Sequence, residues 1–171
     1  KMHQLYCFKS YKQMCLYCGK KMRFSVPKHL GVFSGGVVGR DGVAIFYKNE
    51  IIEMVGAQYE LNPGRLVRYL FNHRNSNSMF LVYNIYNYTT SEAGEAVKLL
   101  NLLEKDILSP ENRNFPALIA GDFNIDILHT NKLSNRLIEV IHKCEFTDEG
   151  SRLLASDITW RGDGSRSKST S

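Results

Sequence analysis

Hydrophobic residues in the first half of the chain occur in short runs separated by turn residues, a pattern that predicts β-strands. One continuous apolar run occupies residues 43–47, and residues 65–71 alternate directly after the turn sequence Asn62-Pro63-Gly64. A polar cluster at 72–78 then precedes a third run at 79–86. Because short turns connect these strands, the sheet is predicted to be antiparallel or mixed in this region.

Beyond the third strand the hydrophobic period lengthens from two to about 3.6 residues, which predicts an α-helix. Ser91 is its predicted N-cap, Glu92 and Glu95 lie near its positive N-terminal dipole, and Pro110 ends it. The predicted apolar stripe consists of Leu99, Leu100, Leu103 and Ile107.

The second half of the chain adds one more helix and two more strands. The predicted strands occupy residues 115–120 and 157–161, and a polar tail follows at 162–171. The apolar stripe of the second helix is predicted to be Leu133, Leu137, Ile138 and Ile141.

The length and composition of the chain are typical of one globular domain. It has 171 residues, of which 43% are hydrophobic and 23% charged. Apolar runs stay shorter than the roughly 18 residues of a membrane span, and the N-terminus lacks the apolar region of a signal peptide. We therefore expect a protein that neither spans a membrane nor is secreted.

The formal charge of +5 is concentrated in the leading segment. Residues 1–24 contain six basic residues and no acidic residue, whereas the remainder of the chain is nearly neutral. The same segment shows no clean hydrophobic period. We expect residues 1–24 to lie outside the fold and residues 25–171 to form the domain, so the charge is weak evidence for nucleic-acid binding.

Three of the four cysteines also lie in the leading segment. Cys15-x-x-Cys18 has the spacing of zinc ligands, but a structural zinc site needs a second pair, for which only His3 and Cys7 are nearby. Reduced, structurally incidental thiols are the favoured interpretation, and they indicate an intracellular compartment.

The most informative polar residues follow the apolar run at 118–120. On an extended strand Asp122 and Asn124 share one face and Phe123 packs on the other. A carboxylate and an amide in one cleft suit a divalent cation and an attacking water. The alternative is a strand end followed by an Asx turn, because Gly, Asp and Asn are common turn residues.

Five sequence pieces together resemble the endonuclease/exonuclease/phosphatase superfamily. In order they are Gly42-Val-Ala-Ile-Phe, Gly64-Arg65-Leu-Val, Asn84-Ile-Tyr86, Gly121-Asp-Phe-Asn124 and Thr159-Trp160. Over roughly residues 30–171 the chain is most similar to the apurinic-endonuclease-like nuclease domains of LINE-type retrotransposons. The resemblance implies a DNase I-like, four-layer α/β sandwich of two mixed, largely antiparallel sheets flanked by helices, here truncated at both ends.

The resemblance also implies a chemistry, which is the hydrolysis of phosphodiester bonds with Mg²⁺ or Mn²⁺. Asp122 would orient or deprotonate the attacking water and contact the metal indirectly, Asn124 would bind a phosphate oxygen or that water, and Tyr86 would direct its hydroxyl at the phosphate. DNA is the partner that the resemblance implies; it names no known protein partner, and we expect no membrane association. A retrotransposon origin would place the protein in the nucleus.

Several members of the family pattern are not found in this sequence. The N-terminal Asn and the metal-binding Gln-Glu motif are missing, and Asp41 is the only acidic residue before Gly42. The Ser-x-Ile-Asp strand and the Asp-His pair are missing as well, and His129 and His142 are poor substitutes for that His.

Three further positions bear on the family pattern: Tyr88 and Thr89 depart from it, and Asp126 follows Asn124 by two residues. The family's Tyr-x-Pro-Asn turn reads Tyr86-Asn-Tyr-Thr89 here, so Pro and Asn are both replaced. Asp126 is predicted to be a turn or helix-capping residue.

Three functions stay open. The first is an incomplete nuclease domain with weak or no activity, since loss of members of a catalytic unit removes most of the rate. The second is a binding or scaffold descendant of the fold that is not an enzyme. The third is a phosphatase of the same superfamily that acts on a small phosphorylated substrate.

Overall fold

The structure is a computed structural model that describes residues 3–7, 30–35, 42–127 and 129–148. The strands and helices are β1 His3–Cys7, β2 Leu30–Gly35, β3 Gly42–Tyr47, β4 Ile52–Met54, β5 Tyr59–Asn62, β6 Leu66–His73, β7 Ser78–Tyr86, α1 Ala93–Ile107, β8 Ala117–Asp122, α2 Lys132–Lys143 and β9 Phe146–Asp148. Within these ranges no helix is long and apolar enough to cross a membrane.

One large sheet contains seven of the described strands. Its order is β4-β6-β7-β8-β1-β9. Strand β5 also pairs with β6, next to β4 on the edge opposite β7. The pairs of β6 with β4, β5 and β7 are antiparallel, whereas β7, β8, β1 and β9 are parallel neighbours. The prediction of a mixed sheet is confirmed. The antiparallel strands β2 and β3 form a second, separate sheet.

The two faces of the large sheet bury different layers. Successive side chains of β7 point into two different hydrophobic cores. Tyr83 and Ile85 face α1 and α2, whereas Val82 faces the second sheet. Asn84 Nδ2 donates to the Ala44 carbonyl at 2.8 Å, which ties β7 to β3. The described residues therefore form a helix layer and two sheet layers, which confirms the predicted α/β fold class.

Helix α1 buries the predicted stripe, but it begins later than predicted. Its buried residues include Leu99, Leu100, Leu103 and Ile107. Ser91 lies in a short 3₁₀ helix, and its hydroxyl bonds Thr89 Oγ1 at 2.7 Å instead of capping α1. The predicted cap is therefore wrong, because the 3₁₀ turn Thr90–Glu92 places Glu92 at the N-cap position of α1. Glu95 does lie in the first turn of α1, and the helix ends before Pro110.

Helix α2 buries most of the predicted stripe, and the partly buried Ile141 packs against the same core. Leu133 and Leu137 are buried as predicted, but Ile138 is 38% exposed and Val140 is buried instead. Asn131 caps the helix, since its side chain accepts the backbone N–H groups of Leu133 and Ser134. This capping box begins the helix at Lys132.

The leading segment contributes a strand to the sheet. His3–Cys7 lies between β8 and β9 and pairs in parallel with both. The expectation that residues 1–24 lie outside the fold is therefore wrong for these five residues. The mixed composition of β1 concealed a strand whose partners are distant in sequence. Residues 8–24 and the predicted strand at 157–161 lie outside the described residues.

A partly buried polar cluster fastens the large sheet to α1. Arg68 Nη1 donates to both carboxylate oxygens of Asp106 at 2.9 Å, and the Tyr83 hydroxyl donates to Asp106 Oδ2 at 2.8 Å. Burial raises the pKa of Tyr83, and the adjacent Asp106 charge raises it further. Asn112 Nδ2 adds a fourth hydrogen bond at 3.1 Å. The Asp106 side chain thus accepts hydrogen bonds from three side chains, which offset the cost of removing it from water.

Gly121 permits a close approach between β8 and β7. Its φ is +141°, and a Cβ atom there would lie 1.9 Å from the carbonyl oxygen of Ile85. No side chain fits at this distance, so the end of β8 depends on glycine.

We expect Gly121→Ala to lower the free energy of unfolding by at least about 3 kcal/mol. The added methyl group would clash with backbone atoms of Ile85, which cannot move without displacing β7. Gly94→Ala is the matched control, since a Cβ at this exposed position in α1 has nothing within 4 Å. That variant should be more stable by roughly 0.5–1 kcal/mol. Urea denaturation measures both, and equal stabilities would contradict the close approach.

We expect Asp106→Ala to cost about 2–4 kcal/mol, because Arg68 and the Tyr83 hydroxyl lose their shared acceptor. Lys98→Ala removes an ion pair to Glu95 in which both side chains are more than half exposed, so its unfolding midpoint should stay unchanged. Thermal unfolding followed by circular dichroism distinguishes the two. Similar midpoints would show that the partly buried cluster contributes little.

Candidate functional site

Two of the predicted site residues meet where the parallel strands β7 and β8 end. Tyr86 and Asp122 are the last residues of these strands and are direct partners in the parallel register. Tyr86 packs against the core between the two sheets, and strand alternation places Asp122 on the same face as Leu118, which contacts that core. The carboxyl ends of parallel strands are the common ligand-binding edge of α/β sheets.

Asn124 belongs to a turn rather than to the strand. Strand β8 ends at Asp122, and Asn124 has φ +51°. Asp122 Oδ1 accepts the backbone N–H of Asn124 at 3.0 Å, which is an Asx turn. The extended geometry predicted for this pair is therefore wrong, and the turn alternative describes the backbone. The buried Phe123 confirms the predicted packing of that side chain.

The turn still brings Asn124 to the end of β7. Its Nδ2 donates to the Asn87 carbonyl at 2.7 Å, and the Asn87 N–H donates to the Asp122 carbonyl at 2.8 Å. Tyr86, Asn87, Asp122 and Asn124 are thus joined by hydrogen bonds and strand pairing in one connected group. We call these four residues the strand-end cluster.

Arg65 is a further member of this region that sequence reasoning did not single out. It is the turn residue directly before β6, and its carbonyl accepts the Tyr86 N–H at 2.7 Å. Its Nη1 donates to the carbonyls of Tyr86 and Asn87 at 3.3 and 3.4 Å. The sequence did contain one indication of this role, because Arg65 directly follows the Asn62-Pro63-Gly64 turn and so begins the strand predicted beside the one that ends at Tyr86.

The other candidates in the loop after β8 are solvent-exposed. His129 Nδ1 lies 2.7 Å from Asp126 Oδ2, with side chains 82% and 58% exposed. Asn131 rather than Asp126 caps α2, so of the two alternatives predicted for Asp126 helix capping is wrong and a turn residue stays the prediction. His142 lies exposed on α2, which agrees with its predicted place on that helix.

The cysteine interpretation is tested at one position. Cys144 is buried, and burial raises the pKa of its thiol to about 11, so this sulfur is an unreactive core group. Cys15, Cys18 and Asp41 lie outside the described residues, as does the Thr159-Trp160 pair.

The described residues alone do not fit a complete Mg²⁺ site. Mg²⁺ prefers oxygen ligands and is usually held by one or two carboxylates together with water and phosphate. Asp122 supplies one carboxylate, and one of its oxygens already accepts the Asn124 N–H. In the described part of the chain, His, Cys, Asp and Glu form no group of three or more that could hold a metal.

Comparison with protein families accounts for the order of these elements. The profile of the Endonuclease/Exonuclease/phosphatase family matches residues 4–168. The chain belongs to this family. Members of the family are hydrolases that generally depend on a divalent metal. No curated protein matches the chain.

Solved structures with low sequence identity share the fold. An endonuclease/exonuclease/phosphatase family protein from Bacteroides thetaiotaomicron is 20% identical, with a TM-score of 0.54 over 67% of this chain and 47% of that protein. A functionally unknown conserved protein from Enterococcus faecalis V583 is 16% identical, with a TM-score of 0.52 over 65% of this chain and 49% of that protein. The chain thus matches about half the length of these structures.

We expect Asn124→Gly and Asn124→Ala to separate the backbone role of Asn124 from its side-chain role. Both variants lose the hydrogen bond to the Asn87 carbonyl, but only Ala must also adopt a positive φ. Asn124→Ala should therefore be less stable than Asn124→Gly by about 1 kcal/mol in chemical denaturation. The reverse order would contradict the left-handed turn.

Proposed function

We propose that the chain is part of a Mg²⁺-dependent phosphodiester hydrolase that acts on DNA as an endonuclease of the LINE retrotransposon type. The observation that carries this proposal is the register pairing of Tyr86 with Asp122 at the ends of β7 and β8. The five sequence pieces in their family order support the retrotransposon subtype. With that origin, the protein would act in the nucleus.

Each member of the cluster has a role that its geometry allows. Asp122 accepts one N–H through Oδ1, and a carboxylate has further acceptor sites with which to orient or deprotonate a water. The Nδ2 group of Asn124 has two protons, of which the Asn87 carbonyl takes one. The second proton is the group that we assign to a phosphate oxygen. Tyr86 would add its hydroxyl from the neighbouring strand end.

The metal requirement limits the activity expected of this chain. Asp122 is one carboxylate, so a resident Mg²⁺ needs ligands beyond the strand-end cluster. The Gln-Glu and Asp-His motifs that the family uses are not found in the sequence. We therefore propose weak hydrolysis, carried by water activation at Asp122 and by phosphate binding.

A binding or scaffold role is the second candidate. It is favoured by the hydrogen bonds within the strand-end cluster, where Asp122 accepts from Asn124 and Asn124 donates to Asn87. Polar groups that satisfy one another can hold a loop without chemistry. Such a descendant would bind DNA or another partner and leave the phosphodiester bond intact.

We expect the chain to nick supercoiled plasmid slowly with Mg²⁺ and Asp122→Asn to reduce nicking by roughly 100-fold or more. The asparagine retains an acceptor for the Asn124 N–H and so preserves the Asx turn, while it removes the negative charge. Thermal midpoints of the two proteins should agree closely. His129→Gln is the control in the exposed loop and should nick like the parent chain.

Other results would redirect the assignment. Nicking unchanged in Asp122→Asn would refute the proposed role of this carboxylate. DNA binding without nicking would favour the scaffold role. Hydrolysis of a small phosphomonoester without nicking would instead indicate a phosphatase.

A further inference from the structure

The guanidinium group of Arg65 lies within cation–π distance of two tyrosine rings at the end of β7. Its central carbon is 4.6 Å from the centre of the Tyr86 ring and 4.3 Å from the centre of the Tyr88 ring. A cation over the faces of both rings attracts each of them, which stabilises the placement of Tyr86 and Tyr88 around Arg65. We propose that Arg65 is a positioning residue for the strand-end cluster, an inference that rests on the function proposed above.

The Asn87 carbonyl is the point through which Arg65 acts. It accepts from Arg65 Nη1 at 3.4 Å and from Asn124 Nδ2 at 2.7 Å. A carbonyl oxygen has two lone pairs, so these two donors occupy its capacity. Arg65 thereby orients the acceptor on which the side chain of Asn124 depends.

A second contact controls the direction of the chain at this point. Arg65 Nη1 also donates to the Tyr86 carbonyl at 3.3 Å, so one nitrogen spans two consecutive carbonyls. These carbonyls lie where the chain leaves the sheet, beyond the regular ladder between β6 and β7. The guanidinium group therefore holds the backbone in place where the chain leaves β7, at Tyr86 and Asn87.

Lysine cannot replace this arrangement. An ammonium group has no plane to stack over two rings, and its protons diverge from one point. Arg65→Lys therefore keeps the positive charge but loses the stacked geometry. Placement of Asn124 relative to Asp122 should become less exact, and a shift of about 1 Å at a reacting group can cost roughly 100-fold in rate. Because the charge persists, affinity for a polyanion should change little.

The kinetic test compares two arginines of the same strand segment. Arg65→Lys should lower kcat for plasmid nicking by about 10- to 100-fold and leave KM within about twofold. Arg68→Lys is the matched control, because Arg68 also stacks on a tyrosine, Tyr59 at 4.5 Å, but bonds Asp106 on the helix side of the sheet. Arg68→Lys should lower the free energy of unfolding without this loss of kcat. The nicking assays of both variants are run at temperatures well below their thermal unfolding midpoints.

Chemical rescue tests the stacked position directly. Arg65→Ala vacates the space over the Tyr86 and Tyr88 rings, and added guanidinium at millimolar concentration should restore part of the lost kcat. Ammonium at the same concentration and ionic strength should not. Equal losses of kcat in Arg65→Lys and Arg68→Lys, or a failure of guanidinium to rescue, would overturn the positioning role.

A readout that needs no activity separates this inference from the proposed function. The side-chain amide signals of Asn124, assigned by their loss in Asn124→Gly, should shift in Arg65→Lys and stay in place in Arg68→Lys. A chain that never nicks DNA but shows this shift refutes the nuclease proposal and retains the role of Arg65. Unshifted signals in Arg65→Lys overturn the positioning role whether or not the chain nicks.

Discussion

The approach of Gly121 to the Ile85 carbonyl is the constraint on which the strand-end cluster depends. It allows β8 to run in register beside β7 to its final residue, so that Asp122 ends opposite Tyr86. A side chain at residue 121 would force the strands apart just before this pair. The pairing of two polar residues at the edge of the sheet is therefore a consequence of a missing Cβ atom.

Around this edge the protein uses backbone carbonyls as much as side chains to organise polar groups. The Asn87 carbonyl receives donors from Arg65 and from the turn after β8, while the Arg65 carbonyl receives the Tyr86 N–H. Three separate parts of the chain thus converge on two main-chain groups. Main-chain groups just before β6 and at the end of β7 therefore hold the polar side chains of this edge in place, and the Arg65 side chain orients one of them.

Local patterns in the sequence predicted the elements that are stabilised locally. The stripe of α1 was recognisable because its leucines repeat at helical spacing, and β6 and β7 because a turn and a polar cluster precede them. Strand β1 was missed because both of its partners lie more than a hundred residues away. The Asx turn could not be distinguished from an extended strand, since a spacing of two residues suits both.

The place of β1 in the sheet also has a consequence for synthesis and folding. β6 and β7 form a hairpin as soon as both have emerged, but β1 is bordered by β8 and by β9, which ends at Asp148. The parallel half of the sheet cannot close until almost all of these residues have left the ribosome. Long-range parallel pairing of this kind slows folding. During translation, the residues of β1 therefore stay unpaired until β8 and β9 have emerged, and chaperones can bind them in that period.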